Sequence, residues 1–313
     1  MVRILNVLIV LVLLMIDIVI RTLNECENLK ILFPRLIRQT VRPNKIIFVD
    51  SGSTDGTLEY INKLINQNEN LIKLHHIKKK DFTFGKSLNL GFENSNAEFI
   101  ISLSAHCFPK DESWLEQLIN KFIDNDVMMV SGAQTNYKLT RLSEASVQMK
   151  WFPQNSSYLE KENNSLNNGN AAYRKSIWEK YKFDENLTGL EDMFIARQIL
   201  QDNKKIYYSH SAVVEHYHVE SYPSIRNRFK RECIALKHMY PEIKFNFYEG
   251  LTGFIKGVFF DLKLKSKVSL PSSDIISITR YRFNQFYGMY LGLKTTDTSQ
   301  NLILENYYYP PSK

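Results

Sequence analysis

Residues Ile46-Ile47-Phe48-Val49-Asp50-Ser51-Gly52-Ser53-Thr54-Asp55-Gly56-Thr57 restrict the possible folds of this chain more than any other stretch. Four apolar or β-prone residues run into an Asp and then into a cluster of small and polar residues that suits only a turn. Leu58 to Ile65 then leaves with helical spacing. The stretch reads as strand, loop, helix. Gly52 and Gly56 allow backbone geometry that a Cβ forbids, and Asp50 falls at the carboxyl end of a buried strand, where open α/β sheets hold ligands. Asp55 and Thr57 suit the start of the helix as caps. The loop has neither the spacing and Lys of a P-loop nor a Gly-x-Gly-x-x-Gly run. That leaves a binding loop of another kind or an ordinary βα turn with a solvated Asp.

Upstream, the apolar run Val7 to Ile16 is about half the length a membrane-spanning helix needs. It offers no small-residue cleavage site before Arg21, and stands for a membrane-dipping anchor, an extra helix or a start-site extension. Ile18-Val19-Ile20 reads as a buried strand that ends in Arg21-Thr22-Leu23-Asn24-Glu25, and Asn28 to Gln39 as an amphipathic helix stopped before Pro43. Two strand, polar loop, helix units in succession predict right-handed crossovers and a parallel sheet.

Thr22-Leu23-Asn24-Glu25 and Val49-Asp50-Ser51-Gly52-Ser53-Thr54-Asp55-Gly56-Thr57, at two successive strand ends, resemble the nucleotide-sugar signature of family 2 glycosyltransferases with the GT-A fold. The resemblance implies an α/β fold with a mostly parallel, Rossmann-like sheet flanked by helices. It also implies that the loops bearing Thr22, Asn24, Glu25, Asp50, Ser51, Gly52 and Ser53 hold the base and ribose of the donor. Phe84-Gly85-Lys86-Ser87-Leu88-Asn89 is similar to the segment beside the donor's diphosphate, with Lys86 and Asn89 matching. A helix-start Lys and a polar cap residue are the bland alternative.

Glu98 to Leu103 is the next strand, ending in Ser104-Ala105-His106-Cys107. Ser104 and Ala105 fall among the donor-binding positions. Relatives place a metal-binding Asp where this chain has His106. A neutral imidazole suits Mn2+ better than the oxygen-loving Mg2+. His106 is then either a ligand of a divalent cation, Mn2+ or Mg2+, or a hydrogen-bond donor to a diphosphate held by cationic side chains alone. Arg141 to Ser165 shows no clean period and is long for a loop, which marks a mobile or partner-contacting segment.

Asn167 to Trp178 resembles the segment that closes the sugar pocket, with Asn168 and Asn170 placed to hydrogen-bond the sugar. Glu191-Asp192, opening an apolar helix, matches the acidic pair of inverting members. The resemblance makes Asp192 the base that takes the acceptor's proton and Glu191 the group that positions the acceptor. A dipole-favoured acidic helix start is the plain reading. Lys205 to Tyr208 and the stretch from Val213 read as two strands. His216 and His218 share one strand face, and His218 with His106 would complete a metal site. Arg228 and Arg231 follow on a helix, suited to a diphosphate or a phospholipid head group.

The resemblance covers residues 17–240, which form the expected catalytic domain, with 1–16 as an extension. Residues 241–313 hold two amphipathic helices, Leu251 to Leu264 and Ile275 to Leu293, for a membrane interface, packing on the catalytic domain or a homodimer. Tyr307-Tyr308-Tyr309 reads as a frayed tail. The net charge of +7 is compatible with phosphorylated substrates or an anionic membrane. No nucleic-acid module is present, and Lys78-Lys79-Lys80 suits a solvated loop. Three widely spaced cysteines make neither a zinc pattern nor a disulfide framework and fit a reducing compartment.

The expected activity is inverting transfer of a sugar from a nucleoside diphosphate to a hydroxyl of a surface glycan, such as capsule or O-antigen, or of its lipid-linked precursor. The expected place is the cytoplasmic face of the plasma membrane. Two rivals remain: a sugar nucleotidyltransferase, which normally carries a Gly-rich basic loop that Thr22-Leu23-Asn24-Glu25 is not, and a donor-binding scaffold subunit.

Overall fold

The computed structural model describes residues 15–136, 140–161, 163, 165–216, 220–267, 270 and 273–295. The apolar run before Met15, His218 and the tyrosine tail lie outside the described residues. In chain order the elements are β1 (Ile16–Thr22), α1 (Cys26–Leu36), β2 (Lys45–Asp50), α2 (Thr57–Gln67), β3 (Ile72–His76), α3 (Phe84–Glu93), β4 (Phe99–Ser104), β5 (Cys107–Pro109) and α4 (Trp114–Ile119). After these come β6 (Val127–Asn136), α5 (Leu142–Trp151), β7 (Ser157–Tyr158), β8 (Asn170–Arg174), α6 (Lys175–Tyr181), α7 (Glu191–Gln201) and β9 (Lys205–His216). The chain closes with α8 (Tyr222–Met239), α9 (Phe247–Lys265) and α10 (Ile275–Lys294). They form two compact units: 1–135, 152–184 and 191–216 make the first, and 136–151, 185–190 and 217–313 the second.

The first unit is built on one sheet of order β3-β2-β1-β4-β8-β6-β9-β5, with β7 paired to β9. β1 lies parallel to β2 and β4, and β2 parallel to β3. Ile18, Ile46 and Ile101 stand in register and are fully buried, as expected where helices cover both faces. From β8 onward the pairing turns antiparallel: β8 with β4 and β6, and β9 with β5 and β7. The expected mostly parallel sheet therefore holds only for its first four strands. Strands buried on both faces are apolar throughout whichever way they run, so their composition does not report direction.

Register brings three strand ends together, because Thr22 is the partner of Asp50 and Arg21 that of Ser104. The loops after β1, β2 and β4 consequently open at one edge. α3 lies close on this sheet at Gly91, where a Cβ would run into Val19 and Val49. β9 is one continuous strand rather than the two expected, and β5 pairs with its last residues.

The second unit is helical. Leu142 to Gln148 are all buried, so α5 occupies part of the stretch read as an aperiodic loop. A helix covered on every side has no polar face and hence no period to detect. Val147, Ile225, Phe229 and Tyr281 form its apolar cluster, joined by Trp151, Tyr222 and Met289. α10 crosses α8 at Gly288 and Gly292, which lie against the carbonyls of Arg226 and Lys230. Two ion pairs are enclosed here: Arg282 with Asp261 at 2.6 Å and Arg228 with Glu144 at 2.8 Å.

Candidate active site

Asp50, fully buried at the end of β2, is the hub of the first loop. Its Oδ1 accepts from the N–H groups of Gly52 and Ser53 at 2.9 and 3.0 Å. Its Oδ2 accepts from Thr22 Oγ1 at 2.9 Å and Ser53 Oγ at 2.5 Å. Four donors use the acceptor capacity of a carboxylate, so Asp50 holds the loop in shape. Thr22 and Ser51 are buried with it, Ser51 Oγ donating to the Thr22 carbonyl.

Gly52, with φ 103°, turns the chain where only glycine is at ease. Asn24 takes φ 57° and is held by Ser53 Oγ and by its own side chain on Thr54 N–H. Of the donor-binding positions expected in the two loops, Asn24 and Gly52 are exposed, as are their neighbours Leu23, Thr54 and Asp55. Asp55 accepts from the N–H and hydroxyl of Thr57, but the N-cap position itself falls to Gly56, and Thr57 Oγ1 accepts from the Glu25 N–H.

Glu25 begins a second network. Its Oε1 lies 2.8 Å from His106 Nδ1, and His106 Nε2 lies 3.0 Å from Ser104 Oγ. The His106 ring stacks on His216 at 5.2 Å with the planes 8° apart. His216 Nδ1 is 2.7 Å from Gln134 Oε1. Antiparallel pairing of Cys107 with His216 makes this stacking possible. Ala105 is buried, so its contribution is backbone alone.

Among the described residues, no three His, Cys, Asp or Glu side chains stand together as a metal site. A histidine oriented by a carboxylate is nonetheless how a metal-bound imidazole is commonly held. The donor set thus fits a single protein ligand, His106 Nε2, and His218, its expected companion, lies outside the described residues.

The acidic pair opens α7. Asp192 Oδ2 accepts from the N–H of Asn168 at 2.9 Å and Oδ1 from that of Met193 at 2.7 Å. Glu191 is buried, and its Oε1 is 3.6 Å from Arg21 Nη1. Arg21 in turn lies over the Phe84 ring, 4.7 Å from its centre. Tyr173 donates its hydroxyl to Asn168 Oδ1 at 2.6 Å. Burial pushes the Tyr173 phenol well up, and Asp192 and Glu191 add to this, so it remains a donor.

Asn168 Nδ2 is buried with no partner among the described residues. The structure thus gathers Asn168, Asp192, Glu191, Arg21 and Tyr173. Sequence reasoning missed Arg21 and Tyr173. A cation closing an otherwise apolar strand was the available signal for Arg21, and nothing distinguished Tyr173 from a core tyrosine.

Three expected donor contacts find other work. Asn170 is fully buried, donating to the carbonyls of Ala133 and Ala212 and accepting from Trp114 Nε1, so it ties strands together. Asn89 likewise clamps Phe183 through its N–H and carbonyl and accepts from Trp178 Nε1. Both amides face strand and helix backbones that need partners, which a motif cannot reveal. Arg228, in the second unit, is committed to Glu144 and Glu220 at 2.8 and 2.9 Å. Arg231 belongs to the same unit and accepts a bond from Thr188 at its carbonyl. Lys86 stands exposed in the first turn of α3, its N–H on Thr83 Oγ1.

A sheet half parallel and half antiparallel, with polar loops at the ends of β1, β2 and β4, defines a GT-A-type α/β fold. Solved structures agree. A mannosyltransferase of Pyrobaculum calidifontis, in complex with GDP-Man and Mn2+, superposes with TM-score 0.60 over 90% of this chain and 88% of its own at 14% identity. S. aureus TarS with UDP gives TM-score 0.51 over 87% of this chain and 90% of that one at 15% identity.

The pattern described as glycosyl transferase family 2 matches residues 17–182, and the chain belongs to that family. An O-antigen chain rhamnosyltransferase of Salmonella typhimurium is 31% identical over 193 residues, which are 58% of this chain and 59% of the relative. A second, from Salmonella anatum, is 28% identical over the same shares. The chain therefore matches about three fifths of the length of these curated relatives.

Proposed function

We propose that the chain is an inverting glycosyltransferase, moving a sugar from a nucleoside diphosphate to a hydroxyl of a surface glycan or its lipid-linked precursor. The observation that carries this reading is the half-buried Asp192 carboxylate at the start of α7, held by the N–H groups of Asn168 and Met193. It is positioned to accept a proton at the mouth of the site. Relatives named as O-antigen rhamnosyltransferases make a deoxyhexose the first sugar to test. The proposed place of action is the cytoplasmic face of the plasma membrane. No described helix is long and apolar enough to cross that membrane.

In this mechanism the acceptor oxygen attacks the anomeric carbon and passes its proton to Asp192. The carbon–oxygen bond to the diphosphate breaks on the opposite side, and its electron pair leaves with the phosphate. Glu191, oriented by Arg21, positions the acceptor. Asn24 and the backbone around Gly52 meet the nucleoside. Lys86, exposed at the start of α3, meets the diphosphate.

His106, held by Glu25, would be the residue of this chain to hold a divalent cation, through Nε2. Such a cation neutralises charge on the leaving group.

Asp192→Asn keeps the shape and removes the base. Transfer should fall by at least about a hundredfold, the lower range of general-base contributions, while nucleotide-sugar binding by calorimetry persists. Transfer near the wild-type rate would reject Asp192 as the base. Donor binding without turnover in the wild type would favour the scaffold reading.

A further inference from the structure

We propose that the outward face of α9 is a docking surface for an anionic lipid bilayer. Tyr248, Leu251, Ile255 and Phe259 recur at spacings of three and four, which places them on one stripe. All four are exposed, Tyr248 at 76% and Phe259 at 68%. The opposite face is covered and carries small and polar residues beside the half-buried Phe254 and Leu264: Gly250, Gly257 and Asp261 are buried, and Gly253 lies against Phe286. α9 is thus turned inside out relative to an ordinary surface helix, with glycines inward and large apolar groups outward. A contiguous apolar stripe of this kind marks an interaction site.

Charge identifies the occupant. From Gly250 to Lys267 the only acid is Asp261, and it is buried against Arg282. The exposed charges are Lys256, Lys263, Lys265 and Lys267. Lys256 and Lys263 border the stripe on one side, since they lie one residue after Ile255 and four after Phe259. Lysines beside an apolar stripe match phosphate head groups above an acyl layer, the pattern of a helix lying in the interface. Glu249, in the first turn, is the one exposed acid of α9, so a second copy docking through the same face would bring two lysine rows together with a single acid from each copy to meet them. The inference deepens the proposed reading, since it rests on a lipid-linked acceptor for its purpose, but it draws nothing from the chemistry at Asp192.

The test is co-sedimentation of the full chain with vesicles of equimolar phosphatidylcholine and phosphatidylglycerol, against vesicles of phosphatidylcholine alone. Binding is expected to the first, weakening as salt rises. It should fall at least about tenfold in Ile255→Ser/Phe259→Ser, which removes apolar insertion, and in Lys256→Glu/Lys263→Glu, which removes the attraction. The lysine pair keeps the test decisive if the serine variant folds poorly, as circular dichroism would show.

Calorimetric nucleotide-sugar binding by the same proteins is read separately, so loss of vesicle binding leaves the transferase reading standing, and the reverse. Wild type that sediments no better with phosphatidylglycerol vesicles overturns the proposal. So does a dimer, seen by light scattering, that Ile255→Ser/Phe259→Ser converts to monomer, because it assigns the face to a second copy.

Discussion

Glu25 Oε1 lies 2.8 Å from His106 Nδ1, and on the far side of the same ring Ser104 Oγ lies 3.0 Å from Nε2. A carboxylate only accepts, so Nδ1 carries the proton and, in the neutral ring, Nε2 presents its lone pair toward Ser104. Glu25 therefore decides which nitrogen of His106 is turned toward Ser104. Glu25→Gln preserves the length but weakens this hold, because a neutral acceptor replaces a charged one and the amide can turn its NH2 to the ring. We expect donor affinity to drop about tenfold, the difference between charged and neutral hydrogen bonds. Calorimetry with Mn2+, Mg2+ or EDTA reads both the loss and any metal dependence. Unchanged affinity would mean that His106 is positioned by other groups.

Gly288 and Gly292 let α10 approach α8 to the point where a Cβ would strike the carbonyls of Arg226 and Lys230. Backbone cannot swing aside as a side-chain end does. Gly288→Ala gains up to about 1 kcal/mol of helix propensity. It should nevertheless lose about 1–3 kcal/mol overall to overpacking, read as a lower urea midpoint. A midpoint at or above wild type would show that the crossing has slack.

How far the sequence foretold this molecule depends on the residue. Ile46 to Asp50 announced a buried strand because continuous apolar composition and a glycine-rich exit admit little else. Asp50 shows where that legibility stops: its position was evident, yet its four donors come partly from Thr22, which is 28 residues away in the chain. Asn170 and Asn89 looked like ligand amides for the same reason, since an amide satisfied by strand carbonyls and one awaiting a sugar are identical as letters. α5 escaped because burial on every side erased its period. Arg21 and Glu191 lie 170 positions apart, and only the folded chain, which brings the start of α7 to the end of β1, makes one the neighbour of the other.

Arg282 donates through Nε and Nη2 to the two oxygens of Asp261, with Ser146 and Gln285 completing the cluster. Both charges are almost fully enclosed, at 3% and 0% exposure. Removing one strands the other, so Asp261→Ala should cost about 3–5 kcal/mol. Asp261→Leu combined with Arg282→Met removes both charges, and much of the loss should return. Chemical unfolding of the single and double variants gives the coupling. Additive losses would show that the two groups do not act as a pair.

His75 on β3 carries a buried Nε2 without a partner among the described residues. Burial, and then the nearby charges of Lys73 and His76, hold its imidazole below the ordinary 6.5. The folded chain therefore binds this proton less readily than the unfolded one. Stability from this site is intact above pH 6.5 and is lost as pH falls through the lowered folded value. His75→Gln removes the titration while keeping a polar side chain. The gap between wild type and variant should stay constant above about pH 7.5 and shift against the wild type as pH falls below about 6.5, because the unfolded wild type takes up the proton more readily than the folded one. Urea unfolding in the two pH ranges measures the shift. Because every other titrating group is common to both proteins, a gap that does not move would place the proton equally in the two states and remove His75 as a cause of acid sensitivity.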